Sequence, residues 1–209
     1  MVKEIETLGK KAFALSLDIS ITADFDQFVT EVKGVLEAQF SSAKLDALVN
    51  NAGIGINESF ETTTEETLDA MTNIHFKGPF FLTQKLLPLL NDGSSIVNTS
   101  SGLARFSFAG YSAYGAMKAA VDSLSRYQAL ELGSRKIRVN SIAPGAIETD
   151  FGGGVVRDIS DLNKHLASET ALARVGLPND IGSVVAFLCS DDSKWINAQR
   201  IEVSGGYRI

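Results

Sequence analysis

Hydrophobic positions along the chain follow two periods. Short apolar runs at residues 12–17, 45–49, 95–99, 137–142 and 200–203 predict buried strands. Between the first two, Phe25, Phe28, Val29, Val32, Val35 and Leu36 form an i, i+3, i+4 stripe, which predicts a helix over 23–39. Residues 1–11 read as the end of an earlier helix, stopped at Gly9. Residues 64–90 carry a long helical pattern that Gly78 and Pro79 should bend or interrupt. Two further helices are expected at 110–132 and 180–189. Strands alternating with helices predict an α/β fold in which a parallel sheet is covered on both faces, as one domain over residues 1–209. Ligands of such sheets lie beyond the carboxyl ends of the strands, and Asp18, Asn51, Ser101 and Pro144 each follow a predicted strand.

Composition narrows the partners. The chain has 209 residues, 44% of them hydrophobic, enough for one domain with a sizeable core. No apolar run approaches the ~20 residues of a membrane span, so no membrane partner is expected. The net charge is −6 and no basic stripe is visible, which argues against nucleic acid. The single Cys189 follows the apolar run 184–188; it allows no internal disulfide and fits a reducing compartment. The polar N-terminus shows no signal peptide, so a cytoplasmic location is expected. His75 and His165 lie far apart with no cysteine cluster, and no metal site is expected.

The segment 101–118 carries candidate chemistry. Tyr114 and Lys118 are four apart, so on a helix they share one face. A phenol with a pKa near ~10 is a poor base at neutral pH. An adjacent ammonium would lower it, and a shift of about 2–3 units needs roughly 3–4 kcal/mol. Such a tyrosine can exchange a proton with a substrate hydroxyl or carbonyl. Ser101, thirteen residues earlier and just past a predicted strand, can hold the substrate oxygen against it.

With Asn50-Asn51-Ala52-Gly53, Asn73 in a helix, and Pro144-Gly145-Ala146-Ile147-Glu148-Thr149, these residues occur in the order and spacing of one family. The chain resembles the short-chain dehydrogenase/reductase family over nearly its whole length. The resemblance implies a Rossmann-like doubly wound sheet and an NAD(P)-dependent oxidoreductase moving hydride between the nicotinamide and a small-molecule carbonyl or alcohol. It implies that Tyr114 is the general acid/base and that Lys118 lowers its pKa and binds the nicotinamide ribose. Ser101, with Ser100 as fallback, holds the substrate oxygen, and Asn73 anchors a water joining Lys118 to solvent. Asp18 and Ile19 contact the adenine, and the backbone of Asn51, Ala52 and Gly53 packs on the ribose. Pro144, Gly145, Ile147 and Thr149 hold the nicotinamide. Taken singly, Asp18 and Thr149 also read as caps, and Asn73 as a polar residue on a solvated helix face. Tyr111, seven before Lys118, matches the wider spacing of an enoyl-reductase branch, but the pattern of that branch wants Met three residues after the tyrosine, where this chain has Tyr114, and the spacing of Ser101 also favours Tyr114. The resemblance also implies a homo-oligomer, a tetramer or dimer, joined through the helices containing Asn73 and Tyr114.

One part of the family pattern is missing. Its opening strand, glycine-rich turn and helix, which cradle the pyrophosphate, do not occur here. Gly53-Ile54-Gly55 does not replace them, because no helix follows at once. About one βαβ unit, on the order of 30–45 residues, is absent, and the natural protein is expected to exceed the 22.4 kDa of this sequence. The residues that choose the cofactor fall in that unit, so it is NAD or NADP. The gap motivates an alternative from another class, a non-catalytic Rossmann-like binding or scaffold protein. Residues 151–175, with Gly152-Gly153-Gly154 near their start, read as a substrate lid within the domain or, equally, as an ordinary surface insertion.

Overall fold

The structure, a computed structural model, describes residues 1–40 and 43–209. Four of the apolar runs become β1 (Leu45–Asn50), β2 (Leu90–Thr99), β3 (Arg138–Pro144) and β4 (Arg200–Val203). They form one sheet in the order β1-β2-β3-β4, every pair parallel. Leu48 of β1 pairs with Ile96, Ile96 with Val139, and Ile142 with Ile201.

The helices lie where the periodicity puts them: α1 (Val2–Thr7), α2 (Phe25–Gln39), α3 (Glu65–Thr72), α4 (Gly78–Leu86), α5 (Ser112–Glu131) and α8 (Pro178–Leu188). Two shorter helices, α6 (Val155–Asp158) and α7 (Ser160–Ser168), occupy the segment between β3 and α8. Alternation along β2 sends neighbouring residues into different cores. Ile96 packs with Leu90, Ala129, Ile137 and Val139 beneath α5. Val97 packs with Ile142 and with Leu188 of α8. The sheet is therefore helix-covered on both faces. Phe25 of α2 closes a third cluster with Leu82, Leu86 and Leu89, against which Leu17, Ile19 and Leu48 rest. Each fully buried side chain of this size contributes roughly 1.5–3 kcal/mol.

One expectation is corrected, and one is placed more closely. Residues 12–17 form no strand. They have no ladder partner among the described residues, and an apolar run without a neighbour to accept its hydrogen bonds stays irregular. Phe13 and Leu15 are accordingly 46% and 37% exposed. The long helix 64–90 is interrupted upstream of Gly78-Pro79, by a π-helical turn over Asn73–Lys77. Pro79 has no N–H to give the carbonyl four residues back, so the α-ladder opens before it. The Gly78 N–H instead reaches the carbonyl of Asn73. A Cβ at Gly78 would run into the carbonyl of Ile19, so glycine lets the start of α4 touch the turn after Asp18.

Candidate active site

Because all four strands run parallel, their carboxyl ends open on one edge, and the residues after β1, β2 and β3 meet there. Beyond β2, Ser100 is buried; its N–H donates to the Ile142 carbonyl (2.7 Å) and its hydroxyl to the Lys118 carbonyl (3.2 Å). Ser100 is thus committed to the frame, and Ser101 faces the cleft. The extended Ser101 accepts from the Leu103 N–H (3.2 Å) and starts the turn Gly102–Ala104. A Cβ at Gly115 would come 2.9 Å from the Leu103 carbonyl, so this glycine seats α5 on that turn and brings Tyr114 to Ser101. From β4, Arg200 donates to the Ser101 carbonyl (2.9 Å) while pairing with Asp122 (2.8 Å). Asp122 in turn accepts from Ser141 (2.8 Å). Ser101 is thereby tied to α5, β3 and β4.

Tyr114 and Lys118 project from one face of α5 and are 7% and 4% exposed. The Lys118 ammonium lies 5.5 Å from the Tyr114 ring centroid and donates to the Thr99 carbonyl (2.7 Å). The expected lowering of the phenol pKa is reversed. Burial pushes Tyr114 up to about 12, a hydrogen bond from Ser101 opposes that, and Tyr111 adds to it. Burial also pushes Lys118 down to about 8, against the pull of Asp122. At neutral pH the tyrosine is held as a protonated acid.

The other sequence candidates surround this pair or stand apart from it. Asn51, Ala52 and Gly53 are exposed after β1, and the Asn51 side chain accepts from Thr99 (3.1 Å). Asn50 faces inward instead, donating to Thr83 and Asn98. After β3, Gly145 donates to the Val203 carbonyl (3.1 Å), and a Cβ there would sit 2.9 Å from Ser204. Ile147 bridges to Gly176, and Thr149 caps the next turn by accepting from the Phe151 N–H (3.2 Å). Asp18 accepts from the Ser20 N–H and hydroxyl (2.9 and 2.7 Å), which holds its carboxylate below the usual range. The backbone of Ile19 lies against Gly78.

Asn73 opens the π turn, and two residues on, His75 is buried. His75 is the one that reaches the tyrosine: the rings lie 5.1 Å apart and edge to face. Its Nε2 is 2.8 Å from the Ile54 carbonyl, and burial, aided by Lys118, pushes its pKa down to about 4. Sequence reading missed it by weighing histidine only as a metal ligand. Its phase, set by the π turn, is what brings it to Tyr114, and no sequence signal carried that. Phe151 was missed too. Its ring sits 5.8 Å from Tyr114 and fills the space over Gly55. Among the described residues no group of three or more His, Cys, Asp or Glu is placed to hold a metal ion.

The small exposed turn after β1, the half-buried turn after β3 and Lys118 between them fit the nicotinamide half of a dinucleotide. Among the described residues no glycine-rich turn leads from a strand straight into a helix to cradle its phosphates. Residues 1–208 match the family model described as enoyl-(acyl carrier protein) reductase. The hydroxynaphthalene reductase-like protein Arp2 of Metarhizium brunneum is 35% identical over 99% of this chain and 79% of its own length. The angucycline C-6 ketoreductase LanV, solved with bound NADP, superposes with a TM-score of 0.92 at 34% identity, over 99% of this chain and 79% of its own. LugOII, a promiscuous reductase catalysing keto-reduction at C1 during lugdunomycin biosynthesis, gives 0.93 at 34%, over 100% and 82%. A short-chain dehydrogenase/reductase from Serratia marcescens gives 0.90 at 27%, over 100% and 81%. With a family match across the whole domain and a nicotinamide-fitting edge that carries serine, tyrosine and lysine, this chain belongs to the short-chain dehydrogenase/reductase family and is an NAD(P)-dependent oxidoreductase.

Proposed function

We propose that this enzyme reduces ring ketones on a flat, partly aromatic skeleton, with Tyr114 as the acid. The observation that carries the reading is the set of aromatic faces around the phenol: Phe151 at 5.8 Å, Tyr111 at 6.2 Å, and Phe108 at 6.1 Å beyond Tyr111. Offset and edge-to-face packing on such walls favours a planar polycycle over a flexible chain. The names of the relatives, a hydroxynaphthalene reductase-like protein and an angucycline ketoreductase, point the same way.

Asn51, Ala52 and Gly53 hold the ribose side of the cofactor, and Asp18 with Ile19 the adenine side. Pro144, Gly145, Ile147 and Thr149 hold the nicotinamide, with Lys118 on its ribose. The reduced cofactor supplies a hydride to the carbonyl carbon. Ser101 donates to the carbonyl oxygen and keeps it against the phenol. As negative charge develops there, the Tyr114 Oη–H bond breaks and its proton moves to that oxygen, giving the alcohol. The segment 151–175 acts as a lid. Its hinge is Gly152-Gly153-Gly154, all in the left-handed region (φ 61°, 78° and 79°), and Phe151, just before the hinge, lies over the site.

The test is a substrate panel with NADPH and NADH. Bicyclic and tricyclic aromatic ketones are expected to give higher kcat/KM than acyclic aliphatic ketones. Cofactor binding with no turnover on any ketone would favour the scaffold alternative. The enzyme is further read as a cytoplasmic homo-oligomer, a dimer or tetramer. Among the described residues no helix is long and apolar enough to cross a membrane. Support for the oligomer comes from the groove between α4 and α5, lined by Phe76, Phe80, Leu124 and Tyr127, with Tyr127 62% exposed. Light scattering is expected to give at least twice the chain mass, and a monomer overturns this.

A further inference from the structure

The serine that faces the cleft sits on a turn with little of its own to hold it. Ser101 is followed by Gly102, where a Cβ would come 2.7 Å from the Phe106 ring, so the position takes no side chain. A glycine leaves the peptide after Ser101 free to swing. β4 supplies what the turn lacks. Arg200 and Glu202, two apart on a strand, share one face. Each nitrogen of the Arg200 guanidinium meets a different partner. Its Nε donates to Asp122 of α5 (2.8 Å), its Nη1 to Glu202 of its own strand (2.7 Å) and its Nη2 to the Ser101 carbonyl (2.9 Å). The Ala104 N–H gives that carbonyl its second bond (3.1 Å), so both lone pairs are filled. Glu202 also accepts from Nε of Arg105, at the far end of the turn (2.8 Å). Asp122 lies four residues after Lys118, on the same face of α5. One guanidinium therefore fixes the start of the serine turn against the helix face that carries Tyr114 and Lys118.

These charges are partly taken out of water. The Arg200 and Asp122 side chains are 21% and 10% exposed, and that of Glu202 31%. Burial would raise the Glu202 carboxyl, but the bonds from Arg200 and Arg105 outweigh it and hold it below the usual range. A partly buried ion cluster adds little net stability over apolar residues of similar size, so its place on the serine turn calls for a reason other than stability. We propose that Arg200 and Glu202 are positioning residues: they hold the Ser101–Arg105 turn at both ends and so set the Ser101 hydroxyl where it keeps a substrate oxygen against Tyr114. This rests on the reading of Ser101 as the group that holds that oxygen. Neither residue touches the reacting atoms; both act through the backbone of the turn. Arg200, bonded to α5, β4 and the turn at once, carries most of the effect, and Glu202 acts by orienting Arg200 and Arg105.

A double-mutant cycle with Ser101 tests it, run on the holoenzyme with one bicyclic aromatic ketone. Arg200→Lys keeps a cation beside Asp122, but one ammonium cannot span Asp122, Glu202 and Ser101 together. It is expected to lower kcat about tenfold, the kind of loss a small misplacement causes, with cofactor Kd near wild type and the thermal midpoint within a few degrees. Glu202→Ala, at the more exposed site, should lower kcat in the same way by a smaller factor. It strands no buried charge and carries the cycle if Arg200→Lys does not fold. In a Ser101→Ala background both substitutions should lose their effect, changing kcat by less than about twofold, because an absent hydroxyl cannot be misplaced. A merely structural role would lower kcat by the same factor in both backgrounds. The proposal is overturned if either variant matches wild type in kcat, if the losses multiply with that of Ser101→Ala, or if they lie in cofactor Kd alone. Wild-type kcat in Ser101→Ala itself would remove the reading of Ser101 first, and this proposal with it, so the two failures are told apart.

Discussion

Replacing Tyr114 with phenylalanine is expected to lower kcat about 10²–10⁴-fold, the range carried by a positioned general acid. The ring volume, the face of Lys118 and the edge of His75 are all kept, so cofactor Kd should hardly change. Only the phenolic oxygen and its bond to Ser101 are lost. Tyr111→Phe is the control. Tyr111 sits at the start of α5, 6.2 Å from Tyr114 and packed on Phe108, where it shapes the pocket. Its hydroxyl should matter for KM more than for kcat. The family model that matches this chain is described by enoyl reductases, whose wider tyrosine–lysine spacing would select Tyr111. Initial rates of both variants on one aromatic ketone decide the matter: if only Tyr111→Phe is inactive, the assignment to Tyr114 is wrong.

Lys118→Met should produce a more stable and nearly inactive protein. Burial lowers the ammonium from 10.5 to about 8. Between those two values the unfolded chain holds a proton that the folded chain has released, so wild-type stability rises as pH rises from about 8. Below pH 8 the charged form is held in the fold at a cost of about 3 kcal/mol. Methionine removes that cost but strands the Thr99 carbonyl, leaving a net gain of about 1–2 kcal/mol at pH 7. The rise in stability above pH 8 should vanish in the variant. Tyr114 works in the opposite sense. Its pKa is raised from 10.0 to about 12, so the unfolded chain loses that proton first and stability falls above pH 10. Thermal unfolding of wild type and Lys118→Met between pH 7 and 10 tests the sign directly. Activity should fall about 10²-fold or more, because the proposed ribose contact and the ammonium beside the phenol are both lost. An unchanged rate in the variant would remove Lys118 from the mechanism.

Much of the architecture was legible because it depends on short-range pattern. The stripe from Phe25 to Leu36 becomes α2, with Phe25 and Leu36 buried. The runs at 45–49 and 95–99 become the paired strands β1 and β2. The i, i+4 relation of Tyr114 and Lys118 needs only that the segment be helical, and it is. The run at 12–17 shows the limit of pattern. Its residues have strand character, but a strand exists only through a neighbour.

Three features of the site were decided by tertiary structure alone. The direction of the Tyr114 shift depends on how much of the phenol is taken out of water, and spacing to Lys118 carries no information on that. That His75 touches Tyr114 depends on helix phase, which the π turn and the contact of Gly78 with Ile19 set between elements far apart in sequence. Phe151 reaches Tyr114 only because β3 ends and α5 begins on the same edge of the sheet. By itself the sequence determined which residues could do proton chemistry, and the order of strands and helices that would carry them. Packing decided which of them meet, how dry they are and which way their protons lean, because burial and long-range contact are properties of the folded chain.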